Sequence, residues 1–215
     1  KLGTQANIAF KSVLLGDARF GSNYGSSLAS IVIDGGLGTV DTSALSYTSP
    51  VLSGFTLAAS LVSSQRDTGS PNVKSGSRVS AVYSMNNLSA TFAAYNNNTK
   101  SVPATPDANG WVTGASYKMG AFTLKGLHTK QKTGVLSSLK TTGFGGAYEM
   151  NPNTTFDLGF YRSSDSGAKY KMNTAGIGVQ YKIIKDLALY AQYAHVSNKD
   201  TRTVAFNFAG PTIQP

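Results

Sequence analysis

Apolar and polar side chains alternate along this chain in runs of roughly ten residues, the length a tilted strand needs to cross a bilayer. In Gly54-Phe-Thr-Leu-Ala-Ala-Ser-Leu61, residues Phe55, Leu57, Ala59 and Leu61 fall on one side and Thr56, Ala58 and Ser60 on the other. The period of two predicts strands at 6–11, 13–19, 43–49, 54–63, 77–85, 88–95, 111–118, 121–130, 141–149, 154–162, 173–182 and 186–196, about twelve, with no helical period between Ala6 and Val196. Tight connections such as Met85-Asn-Asn87 and Met150-Asn-Pro-Asn153 alternate with long ones rich in Ser, Gly, Asn, Asp and Lys at 64–76, 96–110, 131–140 and 163–172. Short turns at one end and long loops at the other predict an all-β fold, a transmembrane antiparallel β-barrel occupying 1–215 as a single domain. Apolar side chains would then meet lipid, and polar ones an aqueous bore. One stretch breaks the pattern: Phe10-Lys-Ser-Val13 joins two expected strands without a turn residue.

Parity divides the strands into two faces. Leu88/Ala90/Phe92, Phe122/Leu124, Phe156/Leu158/Phe160, Ala175/Ile177/Val179/Tyr181 and Leu187/Leu189/Ala191/Tyr193 share the apolar one, while Thr91, Thr123, Lys125, Asp157 and Gln180 lie opposite. Tyr83, Tyr117, Phe122, Tyr148, Phe156, Tyr181 and Tyr193 sit near strand ends on the apolar side, where an aromatic ring suits a membrane interface. Only 13% of residues are charged, against about 25% in a soluble domain, so much of the surface is not built for bulk water. Yet no apolar run reaches the ~18 residues of a membrane helix. With no cysteine in the sequence, disulfides and thiolate metal sites are excluded. A secreted or surface β-rich adhesin would share this composition and is the alternative; it should dissolve without detergent, whereas the barrel should not.

Cations assigned to the lumen by parity are Lys11, Arg19, Arg78, Lys118 and Lys125, against Asp17 and Asp157. In water a unit charge at 4 Å is worth only about 1 kcal/mol, and physiological salt limits its reach to about 8 Å. Ion selectivity therefore needs several charges where the lumen is narrow. The net charge is +9, but Arg66, Lys74, Lys100, Lys132, Lys140, Arg162, Lys169 and Lys171 are dispersed and are assigned to loops, so no nucleic-acid partner is expected. Such lysines would face anionic lipopolysaccharide or draw anions toward the mouth. His128 and His195 each end an alternating strand on the apolar side and are given no metal or catalytic role. No nucleophile-elbow motif is present, and Gly35-Gly-Leu-Gly38 has no helix after it to bind a phosphate, so neither an enzyme nor a cofactor is expected.

Several stretches carry a resemblance: Val13-Leu-Leu-Gly-Asp-Ala-Arg19, Leu45-Ser-Tyr-Thr-Ser-Pro50 followed by Ser53-Gly-Phe55, Gly114-Ala-Ser-Tyr117, the run from Leu187 to Val196, and Ala205-Phe-Asn-Phe208. In their order and spacing they are similar to the trimeric general-diffusion porins of the Gram-negative outer membrane, those of β-proteobacteria in particular. The resemblance implies a barrel of about sixteen strands in the intact protein, with the strands above as the fourth to the fifteenth, so that the sequence reads as part of a longer one. It also implies a homotrimer in the bacterial outer membrane, among lipid and lipopolysaccharide, passing small hydrophilic solutes and ions passively. A net basic lumen and mouth would make the channel prefer anions. Segment 20–42 would be the third loop, folded inward, with Asp34 and Asp41 as its carboxylates; the acidic and aromatic tip usual there is absent. Arg19 and Arg78 would stand on the facing wall and set a transverse field. Arg19 lies two residues beyond the place where the family more often has its arginine, and Asp17 fills that place.

Overall fold

Among the described residues, eleven antiparallel strands follow one another in chain order, each hydrogen-bonded to its sequence neighbours. They are β1 (Leu2–Ala6), β2 (Val40–Thr48), β3 (Phe55–Arg66), β4 (Val73–Met85), β5 (Leu88–Lys100), β6 (Ala108–Met119), β7 (Phe122–Lys132), β8 (Leu139–Asn151), β9 (Thr154–Asp165), β10 (Tyr170–Ile184) and β11 (Leu187–Asn198). This computed structural model describes residues 1–34, 36–66, 73–100, 107–133, 136, 138–165, 167 and 170–198; the expected motif Ala205–Phe208 lies outside them. The strands expected from 43–49 onward are β2 to β11, most of them longer than the alternation alone marked. Their tight connections use residues that tolerate left-handed backbone: Asn86 has φ 52° and Gly120 has φ 58°.

The first two expected strands, 6–11 and 13–19, are not strands. Residues Ile8–Gly16 form helix α1, 17–34 run on irregularly through a π-helical turn at Ala29–Asp34, and 36–39 lead into β2. Asn7 caps α1: its Oδ1 accepts the N–H groups of Ala9 at 2.9 Å and Phe10 at 3.3 Å. The buried positions Ile8, Ala9, Ser12, Val13 and Gly16 recur at helical spacing. Phe10–Val13 lacks turn residues because no turn is there. Ten of the twelve expected strands therefore remain, and β1, which the alternation did not mark, brings the count among the described residues to eleven, with one short helix.

Cross-strand register lays the outward side chains in rows. Gly126, Phe144, Phe160, Ala175 and His195 form one; Leu124, Gly146, Leu158, Ile177 and Tyr193 the next; Phe122, Tyr148, Phe156, Val179 and Ala191 a third; Thr154, Tyr181 and Leu189 a fourth. Successive rows are two residues apart, about 6.8 Å along the strand, so the four span roughly 20 Å. Leu124 is 53% exposed, Ile177 58% and Leu189 60%. A soluble sheet would have buried these. Rings pack side by side within the rows, Phe144 on Phe160 with centroids 5.6 Å apart and Phe122 on Tyr148 at 4.8 Å.

The opposite face is concave and is covered by the segment between β1 and β2. Helix α1 touches β3 to β7, while Gly25 abuts Gly176 and Ala194 on β10 and β11. The sheet therefore curls around this segment from both sides. An apolar core joins them, with Val13, Leu28, Ile31 and Leu37 of the segment packed on Ala93, Val112 and Leu127 of the wall. Among the described residues no helix is long and apolar enough to cross a membrane, and crossing falls to the strands.

Candidate functional site

A buried polar cluster fastens the inner segment to β9 and β10. Asp17, fully buried, accepts four hydrogen bonds: from the backbone N–H of Arg19 (2.8 Å) and of Ser27 (3.0 Å), from the Ser27 hydroxyl, and from the Tyr161 hydroxyl (2.8 Å). Donors replace the water this carboxylate has lost. Tyr161 also accepts from the Arg19 N–H at 3.1 Å. The Arg19 side chain continues past it, its Nε donating to Asp157 Oδ1 at 2.6 Å and its Nη1 to the carbonyl of Tyr24. At 0% exposure, the guanidinium has no route to a passing solute.

Wall glycines make room for this arrangement. A Cβ on Gly176 would stand 2.6 Å from Arg19 Nη1, and one on Gly178 would stand 2.7 Å from Nη2. Farther along, the end of α1 lies directly on the backbone: a Cβ on Gly16 would meet the Gly126 oxygen at 2.8 Å and the Gly114 Cα at 2.9 Å. Glycine inside a strand marks a close backbone approach, and these positions were the sequence signal for a segment packed against the inner wall.

A second ion pair anchors the other end. Arg78 Nη2 on β4 bonds Asp41 Oδ1 on β2 at 2.8 Å and Asn97 Oδ1 at 2.6 Å, and the pair is almost fully buried. Between the two ion pairs run single bonds from wall to segment: Thr91 to Ser12 (2.8 Å), Gln131 Nε2 to the Ile31 carbonyl (2.9 Å) and Thr141 to Ser30 (3.3 Å).

The cations expected in the lumen thus occupy different settings. Arg19 and Arg78 are each neutralised by a carboxylate. Lys125 is half-buried, its Nζ donating to the Leu14 carbonyl at 3.1 Å and lying 3.7 Å over the Phe20 ring, with no carboxylate in salt-bridge contact among the described residues. Lys11 projects from α1 and is exposed. Lys118 sits at the tight-turn end, where it pairs with Glu149 at 3.1 Å in solvent. Of the two segment carboxylates, Asp41 is taken by Arg78, and the side chain of Asp34 lies outside the described residues. Sequence reasoning missed Tyr161, Ser27 and Asn97, whose roles depend on contacts between residues far apart in the chain. Among the described residues no His, Cys, Asp and Glu cluster could hold a metal.

A family model described as Gram-negative porin matches residues 1–201. The structure is similar to that of an anion-selective porin from Comamonas acidovorans, with a TM-score of 0.77 at 21% identity, covering 97% of this chain and 66% of that one. It is similar also to OmpT of Vibrio cholerae in its trimer form, with a TM-score of 0.69 at 13% identity over 92% of this chain and 65% of that one. OmpF of Salmonella typhi, solved with daunomycin, gives a TM-score of 0.69 at 14% identity over 90% and 65%. The chain therefore spans just under two thirds of the length of these porins. No curated protein matches it in sequence.

Proposed function

The chain belongs to the Gram-negative porin family and is an outer-membrane protein, and from that premise we propose that it forms most of the wall of a water-filled channel for passive diffusion of small hydrophilic solutes, with a preference for anions. The observation that carries this reading is the sidedness of the sheet. Its apolar rows face outward, while its concave face holds a polar, glycine-lined surface with a fastened segment lying across it. Water on the concave side replaces the lipid barrier, and the segment spanning 7–39, with 20–42 as its family counterpart, narrows the passage. No covalent step is needed.

The charge balance of the lining supports the anion preference. Because Arg19 and Arg78 each face a carboxylate partner, they add little net field; their part is to hold the segment in place. Of the cations assigned to the lining, Lys11 and Lys125 have no carboxylate in salt-bridge contact among the described residues, although the buried Asp17 carboxylate offsets part of the charge of Lys125, and fixed cations in a narrow bore raise the local anion concentration. The similar anion-selective Comamonas porin points the same way. Assembly as a homotrimer follows the family and the trimer form of OmpT.

Planar-bilayer recording on the full-length protein tests this. Stepwise conductance with an anion-favouring reversal potential in a salt gradient is expected, and Lys125→Glu with Lys11→Glu should move that potential toward cations. A cation-favouring wild type would overturn the charge argument, and absence of steps would overturn the channel.

A further inference from the structure

The turn that follows α1 carries a backbone outlier. Phe20 has φ 55°, a left-handed conformation that a bulky aromatic residue rarely takes, and such outliers persist only where the surroundings fix them. Here the Phe20 N–H donates to the Asp17 carbonyl at 3.1 Å, and the Ser22 N–H and hydroxyl both donate to the Arg19 carbonyl, at 2.9 and 2.7 Å. The Arg19 side chain is itself tied to Asp157 and to the Tyr24 carbonyl. Gly21, also left-handed at φ 73°, lies so close to α1 that a Cβ there would stand 2.5 Å from the Leu14 side chain. The turn is thus held between α1 and the wall.

What this turn presents is a ring. Phe20 is 50% exposed on the concave side although Asp17, Ala18 and Arg19 before it are buried, and Val13 and Leu28 of the same segment lie in the core that an apolar side chain would ordinarily join. The Lys125 ammonium stands 3.7 Å from the centroid of that ring and donates to the Leu14 carbonyl at 3.1 Å. An ammonium has three donors, so the carbonyl leaves others to spare. Charge alone is weak here, because Arg19 is taken by Asp157 and the buried Asp17 carboxylate offsets part of the charge of Lys125. A plain anion gains little from such a place.

We propose that Phe20 and Lys125 form a subsite in the bore that selects aromatic carboxylates among the anions in transit. The proposal rests on the channel reading and names the solute class that the lining favours. The carboxylate accepts a hydrogen bond from the Lys125 ammonium, and the solute ring lies alongside Phe20 in the offset or edge-to-face arrangement that paired rings prefer. An aliphatic carboxylate makes the first contact only, and a neutral aromatic the second only. Because the turn fixes the Phe20 ring before the solute arrives, little conformational freedom is lost on contact.

The test uses the full-length protein in planar bilayers, carrying chloride current, with benzoate, acetate or benzamide added. Benzoate should halve the current at about a fifth of the acetate concentration, the size of effect a ring pair supplies, and benzamide, which lacks the charge, should block no better than acetate. Phe20→Leu should bring benzoate to the acetate value, whereas Phe20→Tyr, which keeps the ring, should retain the difference. These comparisons are ratios within one channel, so a change in overall conductance cancels. Lys125→Met should weaken the benzoate block about fivefold, as loss of a partly solvated ion pair does. Stepwise chloride conductance, recorded before any solute is added, reports on the channel reading separately. Equal block by benzoate and acetate, equal block by benzoate and benzamide, an unchanged ratio in Phe20→Leu, or an unchanged benzoate block in Lys125→Met would overturn the subsite.

Discussion

Replacing Asp157 by Leu removes the carboxylate that Arg19 bonds at 2.6 Å and leaves a guanidinium at 0% exposure with the Tyr24 carbonyl as its remaining partner among the described residues. Stripping one partner from a buried ion pair costs about 3–5 kcal/mol. Asp157 itself is 16% exposed, so water reaches its side of the pair and the lower end, about 3 kcal/mol, applies. The ladder bonds of β8, β9 and β10 do not involve this carboxylate, so the cost falls on docking of the inner segment and leaves the barrel standing. At about 1.4 kcal/mol per factor of ten, the undocked population should rise on the order of a hundredfold. Phenylglyoxal, small enough to enter a pore, reads this population by modifying Arg19, followed by peptide mass spectrometry. The expected rate is about a hundredfold above wild type, with open-channel noise rising in parallel. Asp157→Asn, which keeps an acceptor, should show a small fraction of that, and Arg19→Met/Asp157→Leu should quieten the channel again, because an apolar pair leaves no buried charge. If Asp157→Leu leaves Arg19 as unreactive as before, the ion pair does not hold the segment.

Other substitutions probe separate parts of the argument. Gly16→Val forces α1 off the Gly114 and Gly126 backbone and should destabilise docking by about 1–3 kcal/mol; unchanged channel noise would contradict the close approach. Asn7→Ala removes the cap of α1 and should cost about 1 kcal/mol, read as faster hydrogen exchange at Ala9 and Phe10. Tyr161→Phe takes one of four donors from buried Asp17, at about 1–3 kcal/mol, and should raise open-channel noise less than Asp157→Leu does.

The sheet was legible because a strand with lipid on one side and a polar lining on the other alternates strictly, and runs such as Phe156 to Phe160 carry that signal without help from distant residues. The helix was not. Ile8–Gly16 is nine residues long, and over so short a span its buried positions read as easily as two pieces of strand. The missing turn at Phe10–Val13 was the visible clue. The site was half legible: parity placed Arg78 and Lys125 on the concave side, whereas Arg19 reaches it from a segment that is not a strand, and the partners of all three come from β2, β9 and a carbonyl of α1. Parity carries no information about which opposite charges meet, so a cation free to act on solutes could not be told from one consumed in holding the fold.

A charge introduced at Leu124 separates the two descriptions of the outer face most sharply. Its row lies mid-way down the apolar belt, between the row of Phe144 and that of Phe122, and its side chain is 53% exposed. On a soluble sheet, an arginine at a half-exposed site costs within about 0.5 kcal/mol. At the middle of a bilayer the same change costs about 2–4 kcal/mol. Leu124→Arg, measured by guanidinium unfolding in phospholipid vesicles, should fall in the second range, and Thr142→Arg, two rows toward the long-connection end, should cost at most about 1 kcal/mol because depth sets the penalty. Equal and small values at both positions would mean that the exposed rows do not face hydrocarbon, and the channel reading would fall with them.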